Sequence, residues 1–250
     1  MSPRLAFAID AAYKAGRSTL ALFQTGTTVQ TKEDATPVTL ADQQAERLIR
    51  ELIAVQYPGE AIYGEEEGGA SNALDRWVID PIDGTKSFIS GVPLYSTLLS
   101  YEVDGETEVG VIYFPALDEM LYAERGKGAF FNGRPCHVTD RKCLTGSVIC
   151  CGGHRSMVKA DRWRPFEKII AQALATRTWS DAYGHALVAS GRVDAMIDPI
   201  VAHYDISAAS LIVREAGGQF TDFSGNDKLA LEAISSNGLV HEQILELYRG

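Results

Sequence analysis

The segment Trp77-Val78-Ile79-Asp80-Pro81-Ile82-Asp83-Gly84-Thr85-Lys86-Ser87-Phe88 constrains this chain more than any other. Three apolar or aromatic residues run into an acid, the pattern of a buried strand that ends at a site. Pro81 has no N–H for a ladder, so the strand is expected to stop there. Asp80 and Asp83 then stand across a turn, Gly84 permits close backbone approach or an unusual φ, and Thr85 offers a hydroxyl. The N–H groups of residues 84–86 can point together at an anion. Two carboxylates beside an anion-binding turn suit a hard divalent cation shared with a phosphate. An ordinary Asp-rich turn capping a short helix would carry the same residues, so other ligands must come from elsewhere in the chain.

Composition narrows the class. The chain has 250 residues, enough for one large domain or two close sub-domains. A net charge of −10 argues against a nucleic-acid surface, which needs basic patches. It does not exclude a phosphate substrate, because bound cations reverse the local field. Cys136, Cys143, Cys150 and Cys151 lack zinc-ligand spacing. They read as reduced, buried thiols, which favours a cytoplasmic setting. Asp10 falls within the first helical pattern and no long apolar stretch precedes it, so no signal peptide is expected. No apolar run approaches membrane-spanning length.

Apolar residues from Leu5 to Phe23 recur at helical spacing, predicting a helix over about residues 4–24 that stops near Gly26. Thr39 can cap a second helix that Pro58-Gly59 ends. Asp42 then sits in its first turn, where the helix dipole favours a carboxylate. Ala61–Tyr63 reads as a strand, followed by Glu65-Glu66-Glu67, a run that is usually a solvated loop. After Phe88 the chain turns to β, with hairpin turns expected at Asp104-Gly105 and Asn132-Gly133. Residues 134–146 are the expected boundary between sub-domains of about 1–140 and 141–250. Beyond it, strands alternate with helices: strands at 147–151, 177–179, 193–198, 219–222 and 233–236, helices at 161–175, 182–190, 204–216 and 239–248. Asp205 opens the helix that Gly217-Gly218 closes, a place where an N-cap would also be found.

Three segments now stand in order: Lys32-x-Asp34-x-Thr36-Pro37-Val38-Thr39-x-Ala41-Asp42, then Asp80-Pro81-x-Asp83-Gly84-Thr85-x-x-Phe88, then Tyr204-Asp205-x-x-Ala208 leading to Glu215-Ala216-Gly217-Gly218. Together they resemble the signatures of the inositol monophosphatase family of Mg²⁺-dependent phosphatases. Tyr204 departs from the family's usual tryptophan, a change expected to affect packing. The resemblance implies an α+β, layered αβαβα fold, a homodimer and a small phosphomonoester substrate, with neither nucleic acid nor membrane as partner. It also implies two to three Mg²⁺ ions: one on Glu65, Asp80 and the Ile82 carbonyl, a second on Asp80, Asp83 and Asp205, and a weaker third on Glu65. Thr85, paired with Asp42 and helped by Glu65, would activate water, and the Gly84 and Thr85 N–H groups would hold phosphate.

The run Arg177-x-Trp179-x-Asp181-x-Tyr183-Gly184 before Asp198-Pro199 resembles the histidinol-phosphatase branch of that family. Asp181 and Asp198 are the expected substrate-binding carboxylates; a helix cap for Asp181 and a turn acid for Asp198 are the alternatives. Inositol phosphates, 3′-phosphoadenosine phosphate and fructose bisphosphate are alternative substrates, since the shared fold cannot choose among them. A non-catalytic metal-binding role is the alternative outside enzymes. Lys86, His154 and His185 receive no role; His185, on an apolar helix, is expected to be packed.

Overall fold

The computed structural model describes residues 1–26, 28–31 and 37–249. Residues 32–36, the first half of the N-terminal family-like segment, lie outside the described residues. Helix α1 (Pro3–Thr19) starts on the Ser2 hydroxyl, which accepts from the Leu5 N–H at 3.1 Å. It stops at Thr19, earlier than the apolar spacing predicts, and residues 20–26 form turns. Phe23 recurs at helical spacing for another reason: it packs on the rings of Phe88 and Tyr95. Strands β1 (Val29–Thr31) and β2 (Pro37–Thr39) form a small ribbon and lead into α2 (Leu40–Gln56).

Strands β3 (Ala61–Gly64), β4 (Gly68–Gly69) and β5 (Arg76–Asp83) come next, then the short helix α3 (Thr85–Ile89). A meander follows: β6 (Ser96–Val103), β7 (Glu106–Phe114), β8 (Glu119–Glu124), β9 (Ala129–Phe131) and β10 (Arg134–Cys136). The turns at Asp104-Gly105 and Asn132-Gly133 have positive φ at both positions, as tight hairpins require. The large sheet has the order β10-β9-β8-β7-β6-β5-β3-β4, antiparallel except for β3 against β5.

Pro81 does not end β5. The ladder with β6 runs on with a shifted register, Asp80 facing Leu98 and Asp83 facing Ser96. An extra residue on β5 makes a bulge, which absorbs a proline that a regular ladder would reject.

The second half begins with β11 (Val148–Cys151), α4 (His154–Lys159) and α5 (Trp163–Ile170). The expected helix over 161–175 is thus shorter, and α4 precedes it; Asp161, with φ +55, lies in the turn between the two helices. Then come β12 (Ala175–Arg177), α6 (Asp181–Ala189), β13 (Ala195–Asp198), α7 (His203–Glu215), β14 (Gln219–Thr221), β15 (Ala233–Ser236) and α8 (His241–Arg249). The second sheet is ordered β12-β11-β13-β15-β14, with β11 parallel to both neighbours. Cys150 and Cys151 are buried thiols in β11 as expected, whereas Cys143 is exposed.

The layers follow from where apolar surface is covered. α1 and α2 pack Leu5, Ala8, Ala12, Ile49 and Ile53 on Trp77, Ile79, Leu99 and Val111 of the large sheet. α6 and α7 fill the space between the sheets, with Leu98, Ile112 and Phe114 on one side and Cys150 and Met196 on the other. Met157, Phe166, Ile169 and Ile244 cover the outer face of the second sheet. The result is the αβαβα stack. α7 lies unusually close to β7: a side chain at Gly110 would put its Cβ 2.8 Å from the Ala208 carbonyl oxygen.

Candidate metal and phosphate site

The seam between the two sheets gathers the end of β5, the first turns of α2, α6 and α7, and the end of β13. Asp80, Asp83 and Asp205 meet there, each offering a carboxylate oxygen within 4.8 Å of the others. Asp80 and Asp83 are buried. Asp80 Oδ1 is enclosed and has no hydrogen-bond partner among the described residues. A buried anionic oxygen without a donor is costly unless a cation meets it.

One oxygen each of Asp83, Asp205 and Asp42 is committed to the fold. Asp83 Oδ2 accepts from the Ser96 hydroxyl at 3.2 Å and from the Ala182 N–H at 2.7 Å, so this strand acid caps α6. Asp205 Oδ2 accepts from the Ala202 N–H at 2.7 Å in its own helix start. Asp42 Oδ2 closes a capping box on Thr39, accepting from its N–H at 2.8 Å and its hydroxyl at 2.6 Å. Structural capping and site membership therefore coexist in the same side chains.

Crowding has an electrostatic consequence. Burial pushes the Asp80 carboxyl well above the usual range, and Glu65, Asp83 and Asp205 add to this. Asp83 is raised in the same way by burial, Asp181 and Asp205. Asp205 is pushed up to about 7, by burial first and then by Glu65 and Asp181, against the pull of the Ala202 N–H. Such a cluster binds protons or cations.

The remaining expected residues fall around this trio. Glu65 is outside it but next to Asp80 and lines the same cleft. The Ile82 carbonyl accepts from the Thr85 hydroxyl at 3.1 Å, and that hydroxyl is 3.5 Å from Asp42 Oδ1, a long contact. Gly84 has φ +80 and precedes α3, whose first N–H groups lack helical acceptors. A Cβ at Gly84 would stand 3.1 Å from Asp181 Oδ2, so Asp181 presses against the turn. Asp181 is not a helix cap: Ser180 holds that place and makes no capping bond, while Asp181 itself has φ +60. Such a conformation is rare outside glycine.

Asp198 lies deeper, at the end of β13, and burial followed by Asp181 and Asp205 drives its carboxyl well upward. Asp181 and Asp198 line one cleft with Asp83, Asp205 and Lys86. The Lys86 charge lowers both of their pKa values, against the larger effect of burial. His185 is packed: its Nδ1 is 2.8 Å from the Ser235 hydroxyl, and burial lowers its pKa to about 4. His154 opens α4 edge-on to Trp163 and lines neither half of the cleft. Tyr204 lines the cleft beside the Tyr63 ring, 5.9 Å away.

Some residues at the site fall outside the sequence-predicted set. Ser96, buried in an otherwise apolar strand, supports Asp83 from behind without lining the cleft. Ser156, on the unexpected helix α4, faces both halves of the cleft. Gly152 did carry a signal, a Gly-Gly pair after a strand; a Cβ there would sit 2.6 Å from Asp198 Oδ1.

A mixed αβαβα stack with a carboxylate cluster at its central seam defines a class, and comparison with known proteins places the chain within it. The sequence profile of the inositol monophosphatase family matches residues 1–249. A protein named histidinol-phosphatase from Chlorobaculum parvum is 42% identical over 243 residues, covering 96% of this chain and 92% of that protein. A fructose-1,6-bisphosphatase/inositol-1-monophosphatase from Thermotoga maritima is 39% identical over 214 residues, covering 84% and 81%. The crystal structure of the extragenic suppressor protein SuhB from Bartonella henselae superposes with a TM-score of 0.92 at 31% identity, covering 99% of both chains. The chain belongs to the inositol monophosphatase family.

Proposed function

We propose that this chain is a Mg²⁺-dependent phosphomonoester hydrolase whose substrate is histidinol phosphate. The observation that carries the metal reading is the enclosed, unpartnered Asp80 Oδ1 inside a trio of carboxylates. The donors are all oxygen, which suits Mg²⁺. Glu65, Asp80, Asp83, Asp205 and the Ile82 carbonyl would hold two to three ions, with Asp80 shared. When bound, the ions would neutralise the cluster, polarise the ester phosphate and acidify a nearby water.

The chain's own groups do the rest. The Thr85 hydroxyl, in reach of Asp42, orients the attacking water and passes its proton toward that carboxylate. Burial raises the Asp42 pKa, which makes it a better acceptor than an exposed aspartate. N–H groups at Gly84 and Thr85 hold phosphate oxygens. The substrate reading rests on charge. Histidinol phosphate carries an ammonium group that inositol phosphate lacks, and a carboxylate makes a charge-assisted bond to it. Asp181 and Asp198 stand in the cleft for that role, and the Chlorobaculum relative bears the matching name. The name of the Thermotoga relative supports inositol 1-phosphate as the second reading. A homodimer and a cytoplasmic setting complete the proposal.

The test is kcat/KM with Mg²⁺ for histidinol phosphate, inositol 1-phosphate and 3′-phosphoadenosine phosphate, in wild type, Asp181→Asn and Asp198→Asn. EDTA should abolish turnover and Mg²⁺ restore it. Each variant should cost histidinol phosphate about 1.5–3 kcal/mol and inositol phosphate less. Equal losses on both substrates remove the ammonium role, a wild-type preference for inositol phosphate overturns the substrate, and full activity without metal overturns the mechanism.

A further inference from the structure

A second charged cluster lies at the start of α7, behind the carboxylates that face the cleft. Glu102 on β6 is fully buried. Its Oε2 accepts from Arg76 Nε at 2.8 Å. Its Oε1 accepts from the Ser207 hydroxyl at 2.8 Å and lies 2.6 Å from His203 Nε2. The Arg76 guanidinium is also 3.0 Å from His203 Nε2, donates to the Ser71 carbonyl and stands over the Tyr63 ring. The Ser207 hydroxyl is in turn 2.7 Å from that of Ser100 and 3.1 Å from that of Thr107. Both oxygens of Glu102 are therefore satisfied, by groups from one strand and one helix.

Stability alone does not explain this cluster. Well-packed apolar side chains of the same volume often hold a seam as firmly as a buried ion pair, or more so. What the ionic version adds is fixed geometry, and its placement shows where that geometry is needed. Arg76 opens β5, the strand that delivers Asp80 and Asp83. His203 opens α7, the helix that delivers Asp205. Glu102 binds both openings at once. The three acids repel one another, and without a restraint the start of α7 would move away from β5. The packing of Gly110 against Ala208 fixes the middle of α7 but not its first turn.

We propose that Glu102 is a positioning residue for the cation site: by clamping Arg76 to His203 and Ser207 it sets the spacing between Asp80 and Asp205, and with it the affinity for Mg²⁺. This rests on the metal reading given above. Glu102 touches neither the cleft nor a ligand, so its effect should appear in metal affinity and not in the chemistry at saturating metal.

The test measures Mg²⁺ binding to the full chain by isothermal titration calorimetry without substrate, alongside melting in EDTA and kcat against Mg²⁺ concentration. Glu102→Gln keeps the shape and loses the charge. It should weaken Mg²⁺ binding about 10-fold, the low end for groups that orient ligands from outside. The Mg²⁺ midpoint for activity should rise by the same factor, while kcat at saturating Mg²⁺ stays within about twofold of wild type. Asp194→Asn is the control for a purely structural loss. Asp194 is a buried acid bonded to Thr139 and the Val148 N–H in the second sheet. Its loss should lower the melting temperature and leave Mg²⁺ affinity unchanged. If Glu102→Gln does not fold, Ser207→Ala removes a single donor and should weaken binding about threefold, the value of one modest hydrogen bond. Unchanged affinity in either folded variant, or equal weakening in Asp194→Asn, overturns the clamp. Wild-type protein that binds no Mg²⁺ overturns the proposed function instead.

Discussion

Replacing Asp205 by Asn should stabilise the metal-free protein while removing its response to Mg²⁺. The Asp205 carboxyl is raised from 3.8 to about 7, chiefly by burial and then by Glu65 and Asp181. A raised carboxyl pKa means that the folded chain keeps a proton the unfolded chain releases. Stability is then fully present below the unfolded value and falls as pH rises from about 4 to 7. A shift of this size corresponds to an upper bound of about 4 kcal/mol. The carboxyl opens on the cleft, where water and counter-ions screen it, so about 1–2 kcal/mol is expected at pH 8. Asn keeps an oxygen to accept the Ala202 N–H now bonded at 2.7 Å, so the helix cap survives. For a chain of this size the gain is about 2–8 °C in Tm. The assay is thermal melting in EDTA at pH 8 and pH 4.5, and at pH 8 with saturating Mg²⁺. Asn should melt above wild type at pH 8 in EDTA, equal it at pH 4.5, and gain little from Mg²⁺ while wild type rises. A variant that melts below wild type in EDTA, or an advantage independent of pH, would refute the reasoning.

Thr85→Ala should lower kcat by about 10²–10⁴-fold with KM little changed. Its double mutant with Asp42→Asn should be no worse than the poorer single one, and additive losses in steady-state kinetics would separate the pair. His241 is buried between the hydroxyls of Thr221 and Ser236, and burial depresses its pKa to about 4. The stability this provides is complete above pH 6.5 and is lost as pH falls toward 4, by roughly 3 kcal/mol at most. Urea unfolding of wild type and His241→Gln across that window should show the variant to be less acid-sensitive. Gly110→Ala drives a Cβ to within 2.8 Å of a backbone oxygen of α7, and should cost about 1–3 kcal/mol in the same assay.

The sequence was most readable where one local rule acts alone. The Thr39 cap with Asp42 three residues on, the Gly217-Gly218 stop after α7 and the two Asx-Gly hairpins all appear where local chemistry puts them. So does Gly84 in the left-handed region. The misreadings come from tertiary packing that imitates a local pattern. Phe23 keeps helical spacing because two aromatic rings receive it, not because the helix reaches it. Pro81 reads as a strand end, yet a bulge against β6 carries the ladder past it. The Asp80–Asp83–Asp205 convergence joins residues over a hundred positions apart, so no spacing rule reveals it, and only the family resemblance brought them together. The links from Ser96 and Ala182 to Asp83, and the Glu102 cluster, have no local signature at all, since each partner is an ordinary residue of its own strand or helix.

Asp42, Asp83 and Asp205 each hold a helix start as well as facing the site. Asn would keep an accepting oxygen at each of these positions; at Asp42 and Asp205, the third residues of α2 and α7, it would still accept from the N–H of the capping residue. Alanine or valine would leave open helix ends. A lineage that abandoned catalysis could thus trade these acids for neutral caps and relieve the repulsion at the seam in doing so. The scaffold can outlive its chemistry, and drift away from activity would leave a recognisable trace: amides, not aliphatic side chains, where the acids now stand.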